Sequence, residues 1–391
     1  MCMAIRRFKS YGVYCAAALG IAGMALASWR LYSNPDRLLA RGEQALTRGD
    51  GDKAAAYADR LDALGHSDHA HLLRGEILLA RGELNPAIVE MNRIQEDDAL
   101  LRMRAAGRFG LEFLKLGARP QAEQLLQYVL SKNPDHLDAQ RGLAALYFDQ
   151  GATMKALHHA REWTRLTPRE GAGHRFMGML YMNMLDDQLA VAEFEQALAL
   201  GLPAEVRAQA LLSLADVLAR DNDCARSLDV LNDLDPETQR EEKACELRGQ
   251  CLLSEARWTE LRQLLDEVLT RFPHNTRLLW LQARCLLNAE KPGEAAAALE
   301  AALRNDRHDT RCRYLLAQTY AALGRQTEQA EQLRLLKQTQ DLIVELGALE
   351  NRARESPWEA NVRLRLGAQC DKLDRFDEAA SWRQAAGACS R

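Results

Sequence analysis

Four side chains with metal-binding chemistry crowd one short segment: His66, Asp68, His69 and His71, within Gly-His-Ser-Asp-His-Ala-His. Imidazole and carboxylate donors suit zinc, but structural zinc sites draw their ligands from two spaced clusters, and no second cluster follows. The segment reads instead as a polar turn with Asp68 near a helix amino terminus, and neither a metal nor another cofactor is expected. Adjacent acids stand at Asp97-Asp98 and Asp186-Asp187. Paired carboxylates can divide general acid and base work, yet both pairs fall at helix ends and turns, where exposed carboxylates are ordinary. The nine cysteines are Cys2, Cys15, Cys224, Cys245, Cys251, Cys285, Cys312, Cys370 and Cys389. None forms a C-x-x-C pair, which argues against zinc, haem attachment and thioredoxin-like chemistry together. Most occupy helix positions where Ala also occurs, and so read as small buried hydrophobes. The sequence carries no phosphate-binding loop, zinc-protease helix or nucleophile elbow, so no catalysis is expected.

Binding chemistry is offered by Arg277, Trp280 and Arg284, and again by Arg311 and Tyr314. Spacings of three and four residues place each set on one face of a helix. Guanidinium groups beside aromatic rings suit carboxylates, and therefore an acidic peptide, through charge-assisted hydrogen bonds and stacking. Arg141 and Arg175 would add a central basic contact, whereas Asp36, Glu43 and Glu76 would make the amino-proximal end acidic. The 51 basic and 55 acidic residues leave a net charge of -4, which gives no general affinity for nucleic acid.

The elements that must position these groups show in a regular alternation. From Pro35 onward, amphipathic segments of 11 to 15 residues are separated by short breaks. Glycine is followed five residues later by alanine at Gly49 and Ala54, Gly82 and Ala87, Gly117 and Ala122, and Gly151 and Ala156. Seven residues before each of these glycines stands another small residue: Gly42, Gly75, Gly110 and Ala144. Small side chains let two helices approach closely, and glycine at the turn permits a sharp reversal. In MGMLYMNMLDDQLAVAEFEQALALGL the same offsets place Gly178, Tyr181, Ala190, Phe194 and Ala197, while Pro134, Pro168 and Pro273 recur near the ends of their segments.

This spacing resembles the tetratricopeptide repeat family, with its period of 34, its small residues in the eighth, twentieth and twenty-seventh slots and its late proline. Units then start near Pro35, Asp68, Met103, Leu137, Gly171, Ala208, Glu242, Thr276 and Thr310, 33 to 37 residues apart, with a last one near Ala360. Unit one has Ala45 and Ala58 where the family usually has aromatics, and units six to eight lack the turn glycine. The resemblance implies an all-α, right-handed superhelical solenoid of about ten helix-turn-helix units. It further implies a concave groove, built mainly from the first helix of each unit, that binds a protein or peptide partner. The expected organisation is nine units over 35–339, an inserted helix over 340–357, either separate or continuing the second helix of the ninth unit as one long rod, with the apolar stripe Leu342, Ile343, Leu346 and Leu349, and a terminal unit over 358–391. With no residues left for a polar capping helix, that last unit is a second candidate surface, for self-association.

Residues 1–34 form a segment of another kind. Arg6, Arg7 and Lys9 precede the uncharged stretch Tyr11 to Trp29, long enough at 1.5 Å per residue for a single transmembrane helix. Interfacial aromatics at both ends and the basic cluster favour an uncleaved anchor with a cytoplasmic amino terminus and extracytoplasmic repeats. The alternative is cleavage after Ala27, within Ala25-Leu26-Ala27, releasing a secreted or periplasmic soluble carrier or structural protein.

Overall fold

The computed structural model describes residues 34–95, 99–356 and 359–389. The expected membrane helix over 11–29 lies outside them. Among the described residues every regular element is helical, and no helix is long and apolar enough to cross a membrane. The chain divides into two bodies, the first comprising 34–185 with 199–201, the second 186–198 with 202–389.

The first body contains the hairpins α1 (Pro35–Thr47) with α2 (Gly51–Ala63), α3 (Ser67–Ala80) with α4 (Leu84–Asn92), α5 (Ala99–Lys115) with α6 (Arg119–Lys132) and α7 (Leu137–Asp149) with α8 (Thr153–Leu166), followed by α9 (Gly171–Asn183). First helices touch in series, α1 to α3 to α5 to α7, and so form one layer. The eighth-slot glycines are the sockets of that layer. A Cβ on Gly42 would lie 2.3 Å from Leu73, and one on Gly75 would lie 2.3 Å from the Phe109 ring, so each glycine receives a large side chain from the next unit.

The second body begins with most of α10 (Asp187–Leu200) and continues through α11 (Ala204–Arg220) with α12 (Cys224–Asn232), α13 (Glu242–Ser254) with α14 (Trp258–Arg271), α15 (Thr276–Asn288) with α16 (Pro292–Asn305), α17 (Thr310–Ala322) with α18 (Gln326–Glu355), and α19 (Ala360–Lys372) with α20 (Phe376–Cys389). Here too first helices meet in series, α11 to α13 to α15 to α17. The wider repeat spacings at the third and sixth units are taken up by one more helical turn, since α5 and α11 each run to 17 residues.

Residues 340–355 take the second of the two forms open to the inserted helix: they continue α18, a helix of 30 residues. Nothing between Gln338 and Asp341 breaks a helix, and the stop comes at Ser356, the residue before a proline, whose backbone has left the helical region. The first part of α18 packs on α17, and its last turns supply Leu346, Leu349 and Ala353 to a core shared with Val362, Leu366 and Cys370 of α19. The turn of the final hairpin is tied back to the loop before α17, where Arg307 donates to Asp374 at 2.6 Å.

Hairpin turns need one residue in the left-handed region. Gly49, Gly82, Gly117, Gly151 and Gly324 supply it at φ of 70 to 79°, while Leu185, Asn222, Ala256, Glu290 and Asp374 adopt it without being glycine. Units lacking the turn glycine therefore keep the turn and accept local strain. Left-handed backbone costs a non-glycine residue about 1–2 kcal/mol, partly offset by the greater freedom of unfolded glycine. Gly82→Ala, with open space around its Cβ, is thus expected to lose about 1 kcal/mol, and Ala256→Gly to gain up to about 1 kcal/mol. Opposite shifts in thermal midpoint would bear this out; equal shifts would refute it.

Candidate functional site

The first-helix layer of the first body encloses a groove of about 640 Å³. Its floor is apolar, with Leu46, Leu79, Leu111 and Leu114, and its charged rim includes Arg108 and Arg141. The amino-proximal end is not the acidic surface expected of it. Arg104 and Arg108 on α5 neutralise both glutamates: Glu43 receives Arg104 at 2.9 Å and Arg108 at 3.1 Å, and Glu76 receives Arg108 at 2.9 Å. Asp36 lies 3.9 Å from Arg104. Burial pushes the Glu76 carboxyl up to about 7 although Arg108 opposes the shift. Arg104 holds the second slot of its unit, the slot that Asp36 holds in the first unit, so the signal for it was present in the repeat register; Arg108 lies one turn further on.

Arg141 and Arg175 belong to this first body, on α7 and α9. Arg141 is already engaged, donating to Glu170 at 2.8 Å with its guanidinium 5.0 Å from the Trp163 ring. Trp163 in turn packs on Phe176 and Phe176 on Phe148, at centroid distances of 5.8 and 5.6 Å. Arg175 is half-buried and donates to the Met179 sulfur at 3.2 Å; burial lowers its pKa with no carboxylate to raise it. The Nε groups of Arg141 and Arg175 are both buried without a hydrogen-bond partner.

Arg277, Trp280, Arg284, Arg311 and Tyr314 lie in the second body, on α15 and α17. Trp280 is half-buried between two core clusters, and the exposed Arg284 guanidinium sits 5.6 Å from its ring. Arg277 donates to Gln250 of α13, Arg311 pairs with Asp309 at 3.1 Å, and Tyr314 is 53% exposed. Asp309 is at the same time the cap of α17, accepting from the Cys312 amide at 2.8 Å. The preceding unit adds acids that the residue pattern did not single out: Glu242 and Glu246 of α13 each accept from Asn275 at 2.6 Å. This surface is therefore mixed in charge, with Arg311 exposed but paired to Asp309 and Arg284 exposed over an aromatic ring.

The histidine segment is drawn apart by its helix. His71 bonds Glu90 at 2.7 Å, His69 faces Asp36 at 3.7 Å, and Asp68 accepts the Gln95 amide. Among the described residues no group of three or more such side chains is placed to hold a metal ion. Asp186 accepts from the Leu189 amide at the start of α10 and Asp187 binds Arg220 at 2.7 Å, while Asp97 and Asp98 lie outside the described residues.

Stacked helical hairpins whose first helices line up in series within each body define a helical-repeat architecture. A family model for the tetratricopeptide repeat matches residues 113–180 and 252–318, one stretch in each body. No curated protein matches the sequence at a significant level. Similar solved structures include a tetratricopeptide repeat protein from Parabacteroides merdae, with 18% identity over 64% of this chain and 98% of that one and a TM-score of 0.43. Pseudomonas aeruginosa pilF shows 19% identity over 55% and 97%, with a TM-score of 0.44. A human IFIT1 dimer with PPP-AAAA shows 14% identity over 89% of each chain, with a TM-score of 0.40.

Proposed function

We propose that this chain is a non-catalytic scaffold that holds a segment of a partner protein against its first-helix surfaces. The observation that carries the reading is the apolar-floored groove on α1, α3, α5 and α7, rimmed by Arg108 and Arg141. Such a surface buries leucine-sized side chains while charged groups at the rim set direction and register. In the second body, Arg284 on Trp280 with Arg277, Arg311 and Tyr314 forms the acid-binding part of the same proposal. Its half-buried aromatic flanked by arginine has the composition of a binding hot spot. Residues 11–29 anchor the scaffold in a membrane, with the amino terminus cytoplasmic and the repeats on the other side, as the charge-free stretch behind Arg6, Arg7 and Lys9 supports.

Crosslinking and affinity purification from the native membrane tests the scaffold. Arg284→Glu is expected to reduce recovery of an acidic partner about tenfold or more, since a charge reversal both removes an attraction and adds a repulsion, with helicity unchanged. Equal recovery by the variant would remove Arg284 from the site. Mass spectrometry of the mature chain tests the anchor, and a chain beginning at Ser28 would overturn it.

A further inference from the structure

The second body gathers Cys224, Cys245, Cys251 and Cys285 into one buried core cluster, with Leu252, Leu261 and Leu281 around them. Their partners differ. Cys245 donates to the Gln239 carbonyl at 3.6 Å and Cys285 to the Trp258 carbonyl at 3.8 Å; outside the cluster, Cys312 reaches the Thr276 carbonyl and Cys370 the Glu378 carboxylate, each at 3.9 Å. Cys251 is the exception, since its thiol meets a second thiol, that of Cys224, together with the Ser227 hydroxyl. The two cysteines come from different repeats, Cys224 opening α12 of the sixth hairpin and Cys251 lying on α13 of the seventh.

We propose that Cys224 and Cys251 form an intrachain disulfide that staples the sixth repeat to the seventh when the protein meets a disulfide oxidant. The thiolate of one cysteine attacks a small-molecule disulfide, forming a mixed disulfide and expelling one thiolate. The second cysteine attacks that mixed disulfide, closing the protein S–S bond and expelling the other. The two protein thiols are oxidised, the reagent disulfide is reduced to two thiols, and the protons lost by the cysteines end on those thiols. Both sulfurs are buried, and burial pushes the Cys251 thiol up to about 12, so exchange proceeds from a locally opened state. The element that opens is α12, which at nine residues matches α4 as the shortest of the described α-helices. Once closed, the bond constrains the unfolded chain and resists reopening of the same helix.

The test uses the full chain incubated with oxidised glutathione below its unfolding midpoint, then alkylated and digested without reduction. The expected result is a peptide pair joined through Cys224 and Cys251, an intact mass lower by two hydrogens, and a midpoint raised by about 5 °C that dithiothreitol reverses. Cys251→Ser is expected to show neither the link nor the shift. Cys224→Ala serves the same purpose should the serine variant fail to fold, and peptide mapping of the unaltered chain needs no variant. Glutathione adducts without a link, linkage of another pair such as Cys245 with Cys285, or an unchanged mass would each overturn the proposal.

Discussion

Phe109→Ala is expected to destabilise the first body by about 3–5 kcal/mol, the range for deleting a fully buried aromatic side chain. Phe109 is completely buried on α5, its ring edge-on to Phe113 at 6.2 Å and its tip seated on Gly75 of the preceding first helix. The converse substitution attacks the same contact from the other side. A Cβ on Gly75 would stand 2.3 Å from the Phe109 ring tip, and a ring enclosed by its neighbours has little room to withdraw, so Gly75→Ala should cost about 1–3 kcal/mol by overpacking. The two effects must not add. Once Phe109 is alanine the space beside Gly75 is free, and Gly75→Ala then gains the helix propensity of Ala over Gly, about 1 kcal/mol. A double-mutant cycle by urea unfolding should therefore report a coupling of about 2–3 kcal/mol. Additive changes would mean that knob and socket are not the joint between these repeats.

Two buried groups in the first body should give it opposing pH dependences. Glu76, raised from 4.5 to about 7 by burial, keeps its proton in the folded state over a range where the unfolded chain has lost it. Its contribution to stability is complete below pH about 4.5 and is lost as pH rises to about 7. His159 is lowered from 6.5 to about 4, first by burial and then by His158 beside it; its Nδ1 bonds the Gln140 amide oxygen at 2.7 Å and its ring stacks on Tyr147 at 5.5 Å. The folded state therefore refuses a proton that the unfolded chain accepts. That contribution is complete above pH about 6.5 and is lost as pH falls to about 4. The Glu76 shift corresponds to roughly 3 kcal/mol and that of the half-buried, partly screened His159 to roughly 1–2 kcal/mol, and between pH about 4.5 and 6.5 the slopes oppose and partly cancel. Glu76→Gln should uncover the histidine, making stability fall by about 1–2 kcal/mol from pH 6.5 to 4. His159→Phe should uncover the glutamate, with stability falling as pH rises from 4.5 to 7. Denaturant midpoints measured across this range decide the matter, and a Glu76→Gln profile as flat as the parent's would exclude the pairing.

Much of the architecture was legible in the residues because it depends on local rules. Gly49, Gly82, Gly117 and Gly151 mark turns since only a left-handed residue closes them, and Ala54, Ala87, Ala122 and Ala156 mark helix contacts since a larger side chain would hold the helices apart. The prolines after Asn133, Thr167 and Phe272 end helices by forcing those three residues out of helical backbone. Where the rule is weaker, the reading was weaker too. Ala256 and Glu290 make the same turn as glycine at an energetic cost, and that cost is accepted only because packing on both sides holds the hairpin closed. Residues 340–355 look like a helix of their own by periodicity, but periodicity cannot tell a new helix from a longer one.

Charge placement was the least legible property, because an ion pair is a fact about two chain positions brought together by the fold. Glu43 and Glu76 are acidic in the sequence and neutralised in the structure, since α5 delivers Arg104 and Arg108 to them from 61 and 32 residues away. Arg311 is basic in the sequence and already bound by Asp309, whereas Arg284 stays exposed on Trp280. The sequence by itself determined that helices alternate in hairpins of about 34 residues and which slots hold the small residues at helix contacts, because backbone sterics and side-chain size act over a few residues. Only the tertiary structure decided which charges are already paired, because electrostatic pairing acts across repeats and through space.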